Sequence, residues 1–235
     1  MTNHQHTTIT LLSFDSLASK WWMFTQMGLA IGQLAKTPGL QFGRLLGSGG
    51  GNGFSIWPNF GMYAWLGQWE SKSAAQQFFT QNNWFTKAKN RSSGLTTFHL
   101  EPTMAHGKWA GEQPFPLTNN YDPKKPVAVI TRATIRTRKL PDFWRYVPST
   151  SKSVYDHPAR LLSIGVGEYP IFMQATFSYW TSGKAMQDFA YKSDHHKEVV
   201  KLTRERDWYK EELFVRFTVL EVEGDDPVAL LGAPD

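Results

Sequence analysis

Two stretches of the chain, 111 residues apart, spell the same strand end and helix start, and a duplication of that kind limits the fold more than any other feature. The shift places Ala64 on Ala175, Trp69 on Trp180, Ser71 on Ser182, Ala74 on Ala185, Gln76 on Gln187 and Phe78 on Phe189. Arg44-Leu45-Leu46-Gly47 and Arg160-Leu161-Leu162 also match, at a slightly different offset. The order of expected elements repeats too. In the first half Ile9 to Phe14 reads as a strand, and Ser16 to Ala35 as an apolar helix stopped by Pro38-Gly39. Leu40 to Leu46 and Gly61 to Trp69 read as strands, Ser71 to Lys89 as a helix and Leu95 to Leu100 as a closing strand. In the second half Val127 to Arg136 is a strand, and Leu140 to Tyr155 is helical in part, interrupted by Pro148. Leu161 to Gly167 and Phe172 to Trp180 are strands, a helix from Ser182 breaks at Ser193-Asp194, and Leu213 to Val222 closes the unit.

Each half is therefore β-α-β-β-α-β, a ferredoxin-like unit with helices on one face of its sheet and the other face bare. Two bare faces bury each other. The expected fold is α+β, with tandem ferredoxin-like repeats forming a pseudo-twofold dimeric α/β barrel. Residues 1–100 make the N-terminal half and 127–224 the C-terminal half, which carries the candidate site. Residues 101–126, rich in Pro, Gly and Asn, form a connector long enough to wrap over the domain, and 225–235 form a tail.

Composition removes several chemistries. The chain has no cysteine, which excludes disulfides, iron–sulfur clusters, thiolate-bound haem and a cysteine nucleophile. Ten tryptophans and sixteen phenylalanines exceed what a small core needs; they either fill the interior or line a pocket for a large apolar ligand. The N-terminal stretch lacks a basic region followed by a long apolar core, and no run of about 18 apolar residues exists. A cytoplasmic protein, at most peripheral to a membrane, is expected. Between Lys124 and Arg160 nine Lys/Arg stand against two Asp, a local excess larger than the whole-chain +5. No nucleic-acid recognition motif accompanies that patch, so nucleic acid is not expected as a partner; a cofactor's carboxylates, an anionic membrane surface or plain solvent suit it.

The adjacent histidines His195 and His196 follow the Ser193-Asp194 break. With either residue as a cap, His196 falls in the first turn of a helix, where the dipole favours the neutral imidazole that a metal requires. At helical spacing His196 shares a stripe with Phe189, Val200 and Thr203, which looks inward, and His195 shares one with Asp188, Lys192 and Glu198, which looks outward. A single histidine is enough for haem, whose porphyrin supplies four nitrogens, and too few for zinc; on spacing alone, a surface or core histidine that binds nothing is the simpler reading. Arg132, alternating with Ala128, Ile130 and Thr134, and Arg216, between Phe214 and Thr218 in the same alternation, need partners if their strand faces are buried. A propionate, a bound oxygen species or an acidic neighbour such as Glu212 would serve. The glycine loop Gly47 to Gly53 has Asn52 where a dinucleotide fingerprint needs glycine and lacks the Lys-Ser/Thr of a phosphate loop, so it reads as a hairpin connection.

The residues GSGGGNGF (Gly47 to Phe54), AHGKW (Ala105 to Trp109), TRATI (Thr131 to Ile135), IGVGE (Ile164 to Glu168), FSYW (Phe177 to Trp180) and WYKEELFVRF (Trp208 to Phe217) resemble the spheroidene monooxygenase family, enzymes that oxidise acyclic carotenoids. The resemblance covers nearly the whole chain up to about Leu220. It implies a haem b (iron protoporphyrin IX) monooxygenase that uses dioxygen and external electrons, from a donor such as a ferredoxin, on an apolar substrate. It also implies kinship with dimeric α/β barrel haem proteins, in which a C-terminal-half helix supplies the axial histidine. His196, twelve residues before Trp208, inherits that role, and the TRATI strand offers Arg132 as the distal catalytic group. Arg132, Arg216, Phe189 and Val200 would then line the cofactor. The competing expectations are a cofactor-free oxygenase of the same fold and a non-catalytic haem or lipid carrier.

Overall fold

A computed structural model of the chain describes residues 5–50, 57–145, 158–168, 173–192, 202–203 and 205–230. The N-terminal half runs β1 (His6–Ser13), α1 (Leu17–Leu29), α2 (Ile31–Leu34), β2 (Leu40–Gly49), β3 (Pro58–Trp69), α3 (Lys72–Gln81), α4 (Asn83–Arg91) and β4 (Gly94–Gly107). The C-terminal half follows with β5 (Val127–Ile135), a 3-10 turn at Thr137–Lys139, β6 (Arg160–Gly167), β7 (Met173–Trp180), α5 (Gly183–Lys192), β8 (Tyr209–Gly224) and α6 (Pro227–Leu230). The strands close an antiparallel barrel in the order β1-β3-β2-β6-β7-β5-β8-β4. Cut at its seams, that circle is β4-β1-β3-β2 beside β8-β5-β7-β6, the same order twice. The expected pseudo-twofold barrel is what forms.

The two seams differ. β4 and β8 pair over a long ladder from Thr96↔Gly224 to Gly107↔Leu213, whereas β2 and β6 meet only at Gly47↔Gly167 and Ser48↔Val166. The long seam explains why β4 outruns the boundary expected from hydrophobic alternation, while β8 gains its start, Tyr209 to Glu212, by pairing with β5. β4 extends past Leu100 to Gly107 and takes the first residues of the connector, because β8 offers it a backbone partner throughout. Gly107, at φ +87°, ends this ladder, and a Cβ there would lie 2.1 Å from the Glu212 carbonyl oxygen. Gly107→Ala is therefore expected to lower stability by about 1–3 kcal/mol, read from the shift in a urea unfolding midpoint.

Two helices that apolar periodicity runs together are each divided in the structure. Asn82 ends α3 and caps α4, its Oδ1 accepting from the N–H groups of Trp84 (2.9 Å) and Phe85 (3.1 Å). The apolar helix after β1 bends between α1 and α2 at Ala30. In the expected hairpin, β2 continues to Gly49 and β3 begins at Pro58, so the first glycines of the loop belong to a strand.

Strand alternation splits the apolar residues between two layers. Ile9, Leu11, Leu66, Phe98, Ile130, Phe177, Val215 and Phe217 point into the barrel and fill it, and the connector adds Trp109 and Phe115 to that core. The outward face of the N-terminal half packs under its helices as a second core built on Leu12, Trp65, Trp69, Phe78, Trp84 and Phe85. The duplication is visible in atomic detail. Ser71 accepts from Ala74 N–H and Ser182 from Ala185 N–H, each at 3.1 Å, while Trp69 meets Phe78 at 5.0 Å between ring centroids and Trp180 meets Phe189 at 5.3 Å.

Candidate functional site

The outward face of the C-terminal sheet is built from partners that face each other across ladders. Val127 lies opposite Trp180 and Thr218, and Val129 opposite Ser178 and Arg216. α5 lays Met186 and Phe189 over this face, and the connector brings in Tyr121, giving a small apolar cluster of Val127, Val129, Trp180 and Met186 with Tyr121, Phe189 and Phe214 packed on it. Arg216 is set into that apolar wall and only 8% exposed. Its guanidinium lies 3.5 Å from the centroid of the Tyr121 ring, and its Nε–H donates to Thr103 Oγ1 at 3.4 Å. No carboxylate among the described residues forms an ion pair with it. Two further buried polar atoms in the same region, Tyr121 Oη and Thr218 Oγ1, have no hydrogen-bond partner among the described residues. A buried guanidinium without an anion is costly, and here it stands beside two unanswered hydroxyls.

The equivalent face of the N-terminal half is closed. Trp65 stacks on Phe78 (5.6 Å) and meets Trp84 (6.0 Å), and Phe85 reaches Phe78 and Phe79 (5.3 and 4.9 Å). The sequence shift of 111 that superposes the two repeats carries the cap Asn82 to Ser193 and the plugging pair Trp84 and Phe85 to His195 and His196. His195, His196 and Val200 lie outside the described residues. The ladders give a second correspondence. His6 faces Trp69 as Val127 faces Trp180, and two residues further on Thr8 faces His99 as Val129 faces Arg216. Where the C-terminal half holds an arginine without a carboxylate partner, the N-terminal half holds His99, whose Nδ1 is 2.8 Å from His6 Nε2. Burial, reinforced by the neighbouring His99, holds the His6 pKa down to about 4, so that imidazole is neutral.

Of the residues singled out by sequence, Phe189 and Arg216 thus come to one wall and Arg132 does not. Arg132 shares its strand face with Ala128 and Ile130, which belong to the barrel interior, and is 3% exposed. Its guanidinium donates to Glu211, lies 3.7 Å from Glu168 and lies 5.2 Å from the centroid of Trp109. Its acidic partners are therefore Glu211 and Glu168, not Glu212, which adjoins Glu211 in β8 and so points to the opposite face. The same carboxylates tie down the connector. Trp109 Nε1–H donates to Glu168 at 3.0 Å, Arg44 pairs with Glu168 at 2.7 Å, and the N–H groups of Ala110 and Gly111 donate to Glu211 at 2.9 and 2.7 Å. Burial works to raise the Glu211 pKa, but the donors Gly111, Ala110 and Arg132 outweigh it and hold the carboxyl below its usual range.

Sequence reasoning missed Tyr121 because it lies in a connector without periodicity. It also missed His6, which opens β1 and is buried.

No family model matches the chain. Among curated proteins, the spheroidene monooxygenase of Rhodobacter capsulatus is 33% identical over 227 residues, covering 94% of this chain and 94% of that protein. The spheroidene monooxygenase of Cereibacter sphaeroides is 31% identical over 229 residues, covering 95% of this chain and 71% of that protein. Among solved structures, an aldoxime dehydratase superposes with a TM-score of 0.62 at 12% identity, over 96% of this chain and 86% of that one, a likeness of fold.

Proposed function

Since the chain belongs to the spheroidene monooxygenase family, we propose that it is a haem-dependent monooxygenase of an apolar, carotenoid-like substrate, with the cofactor held between the C-terminal sheet and its helices. The observation that carries this is Arg216, a buried cation with no carboxylate partner among the described residues, set in an apolar wall. The residues present fit haem b. Phe189 and Phe214, half-buried over Val127 and Val129, offer an apolar surface to a porphyrin ring, and Arg216, Tyr121 and Thr218 offer donors to its carboxylates. His196 would hold the iron through its imidazole. It replaces, by the repeat, the Phe85 that plugs the other half, and a Ser193 cap would present it in a helix's first turn as Asn82 presents Phe85.

Bound there, haem supplies activation of dioxygen with electrons from an external donor. The chain's own residues do the rest. Arg216 anchors and neutralises an anionic edge, Tyr121 lies over the guanidinium and shields it from solvent, and Trp180 and Phe189 fix α5 against the sheet. The apolar lining excludes water and selects a hydrocarbon over a polar substrate. Arg132 takes no catalytic part, because its guanidinium is paired with Glu211 and Glu168 inside the barrel.

Arg216→Leu is expected to weaken hemin binding about tenfold or more, the worth of a charge-assisted hydrogen bond. Its thermal unfolding should stay near that of the wild type, because no internal ion pair is broken. A titration of hemin into the purified variant measures this. Unchanged affinity would remove Arg216 from the site.

A further inference from the structure

We infer that the outer face of α1, together with the start of β3, is a docking surface for a phospholipid bilayer with anionic headgroups. α1 is apolar on two sides. Its inner side buries Met23, while its outer side carries Leu17 (85% exposed), Trp21 (68%) and Phe24 (44%) at a spacing of four and three residues, which puts them in one stripe. Phe60 of β3, 46% exposed, extends the stripe across to the sheet; Trp21 and Phe24 are 5.8 Å apart between ring centroids, and Phe24 and Phe60 are 5.4 Å apart. These rings pack on one another in contact with solvent, and a contiguous exposed aromatic surface of this kind marks an interaction site.

The chemistry of the surroundings selects the partner. From Ser16 to Trp69 the sequence contains no aspartate or glutamate, while Lys20 and Lys36 fall within it, as does Arg44, which is paired with Glu168. The stem of Lys20 lies against Gly61, next to Phe60, and the Arg91 guanidinium lies 5.1 Å from the Trp22 ring on the flank of α1. Aromatic side chains flanked by Lys20 and Arg91, on a helix with no carboxylate of its own, match the interfacial zone of an anionic bilayer, where rings enter the headgroup region and cations meet phosphates. Asp15, Asp225 and Asp226 line a recess that adjoins the surface at Lys20 and Gly61, and mark its edge. At the other end Ile31, half exposed, also lines a cavity of about 220 Å³ under α1 and α2 with Met27, Leu34, Leu45 and Trp65, closed by the Arg44–Glu168 pair. Among the described residues no helix is long and apolar enough to cross a membrane, so the contact is a peripheral one. It is independent of the cofactor assignment.

The test is co-sedimentation of the full chain, without added hemin, with large vesicles of phosphatidylcholine alone or of phosphatidylcholine with phosphatidylglycerol. The wild type should pellet with the mixed vesicles, less with the neutral ones, and lose binding as salt rises. Trp21→Ser/Phe24→Ser, both exposed positions, should keep the wild-type circular dichroism melt and partition about tenfold or more weakly. A wild type that stays in the supernatant with both vesicle types would overturn the inference. So would a double variant that pellets like the wild type, or sedimentation velocity showing a wild-type dimer that the double substitution dissolves while vesicle binding is absent.

Discussion

Arg132→Leu should cost about 3–5 kcal/mol of folding free energy, the consequence of removing one partner from a buried ion-pair network. The Arg132 side chain is 2% exposed, and its departure leaves Glu211 and Glu168, about one-fifth exposed each, facing an apolar barrel end. Those carboxylates also hold Ala110, Gly111 and Trp109, so the connector should loosen with them. The pH dependence has a definite sign. Glu211 has its pKa depressed in the folded state, so its contribution to stability is present above the ordinary glutamate range and is lost as pH falls through the lower folded value. Without Arg132 the folded pKa rises towards its ordinary value, and this part of the acid sensitivity shrinks. Urea unfolding at neutral pH and at a series of acidic pH values measures both effects. Full stability with abolished turnover would instead return Arg132 to the chemistry, as its strand motif suggests on sequence alone.

The second large effect is expected at the histidine pair. His196→Phe rewrites the C-terminal half with the residue that the N-terminal half uses at the equivalent position, Phe85, which is buried among Phe78 and Phe79. The variant should fold, with a thermal midpoint at or above that of the wild type, since an aromatic plug fills space that a ligand would otherwise occupy. It should also bind hemin roughly 100-fold more weakly, about 3 kcal/mol, and lose turnover. His195→Phe, one position off the inward stripe, should keep hemin binding within a few fold. Equal losses in the two variants would show that the site depends on the segment's fold and not on one imidazole.

What the sequence disclosed, and what it hid, follows from the range of the interactions involved. The shift of 111 residues announced the repeat because the pieces it matches are local. A serine cap, a tryptophan closing a strand and a phenylalanine two helix turns further on recur as the same hydrogen bond and the same ring contact. Strand ends were less legible where a distant partner decides them. β4 runs to Gly107 only because β8, more than a hundred residues away, continues beside it. The two arginines show the same limit. Each alternates with apolar neighbours on its strand, and nothing local distinguishes them. Once paired, Val129 and Arg216 face the helices, while Arg132 follows Ile130 into the barrel. Which arginine meets carboxylates and which does not is a property of the closed barrel, and so is the arrival of Tyr121 over Arg216. The aromatic excess proved to have a structural use in one half, where rings fill the space under α3 and α4.

That the two halves share a frame and differ in what fills it leads to a single decisive observation: the absorption spectrum of the wild-type chain during a hemin titration. Saturation at one hemin per chain, with the Soret band of a histidine-ligated iron that is absent from His196→Phe, is expected. A wild type that takes up no hemin at saturating concentration while still oxidising an apolar substrate would contradict the assignment and leave the wall around Arg216 to a cofactor-free reaction.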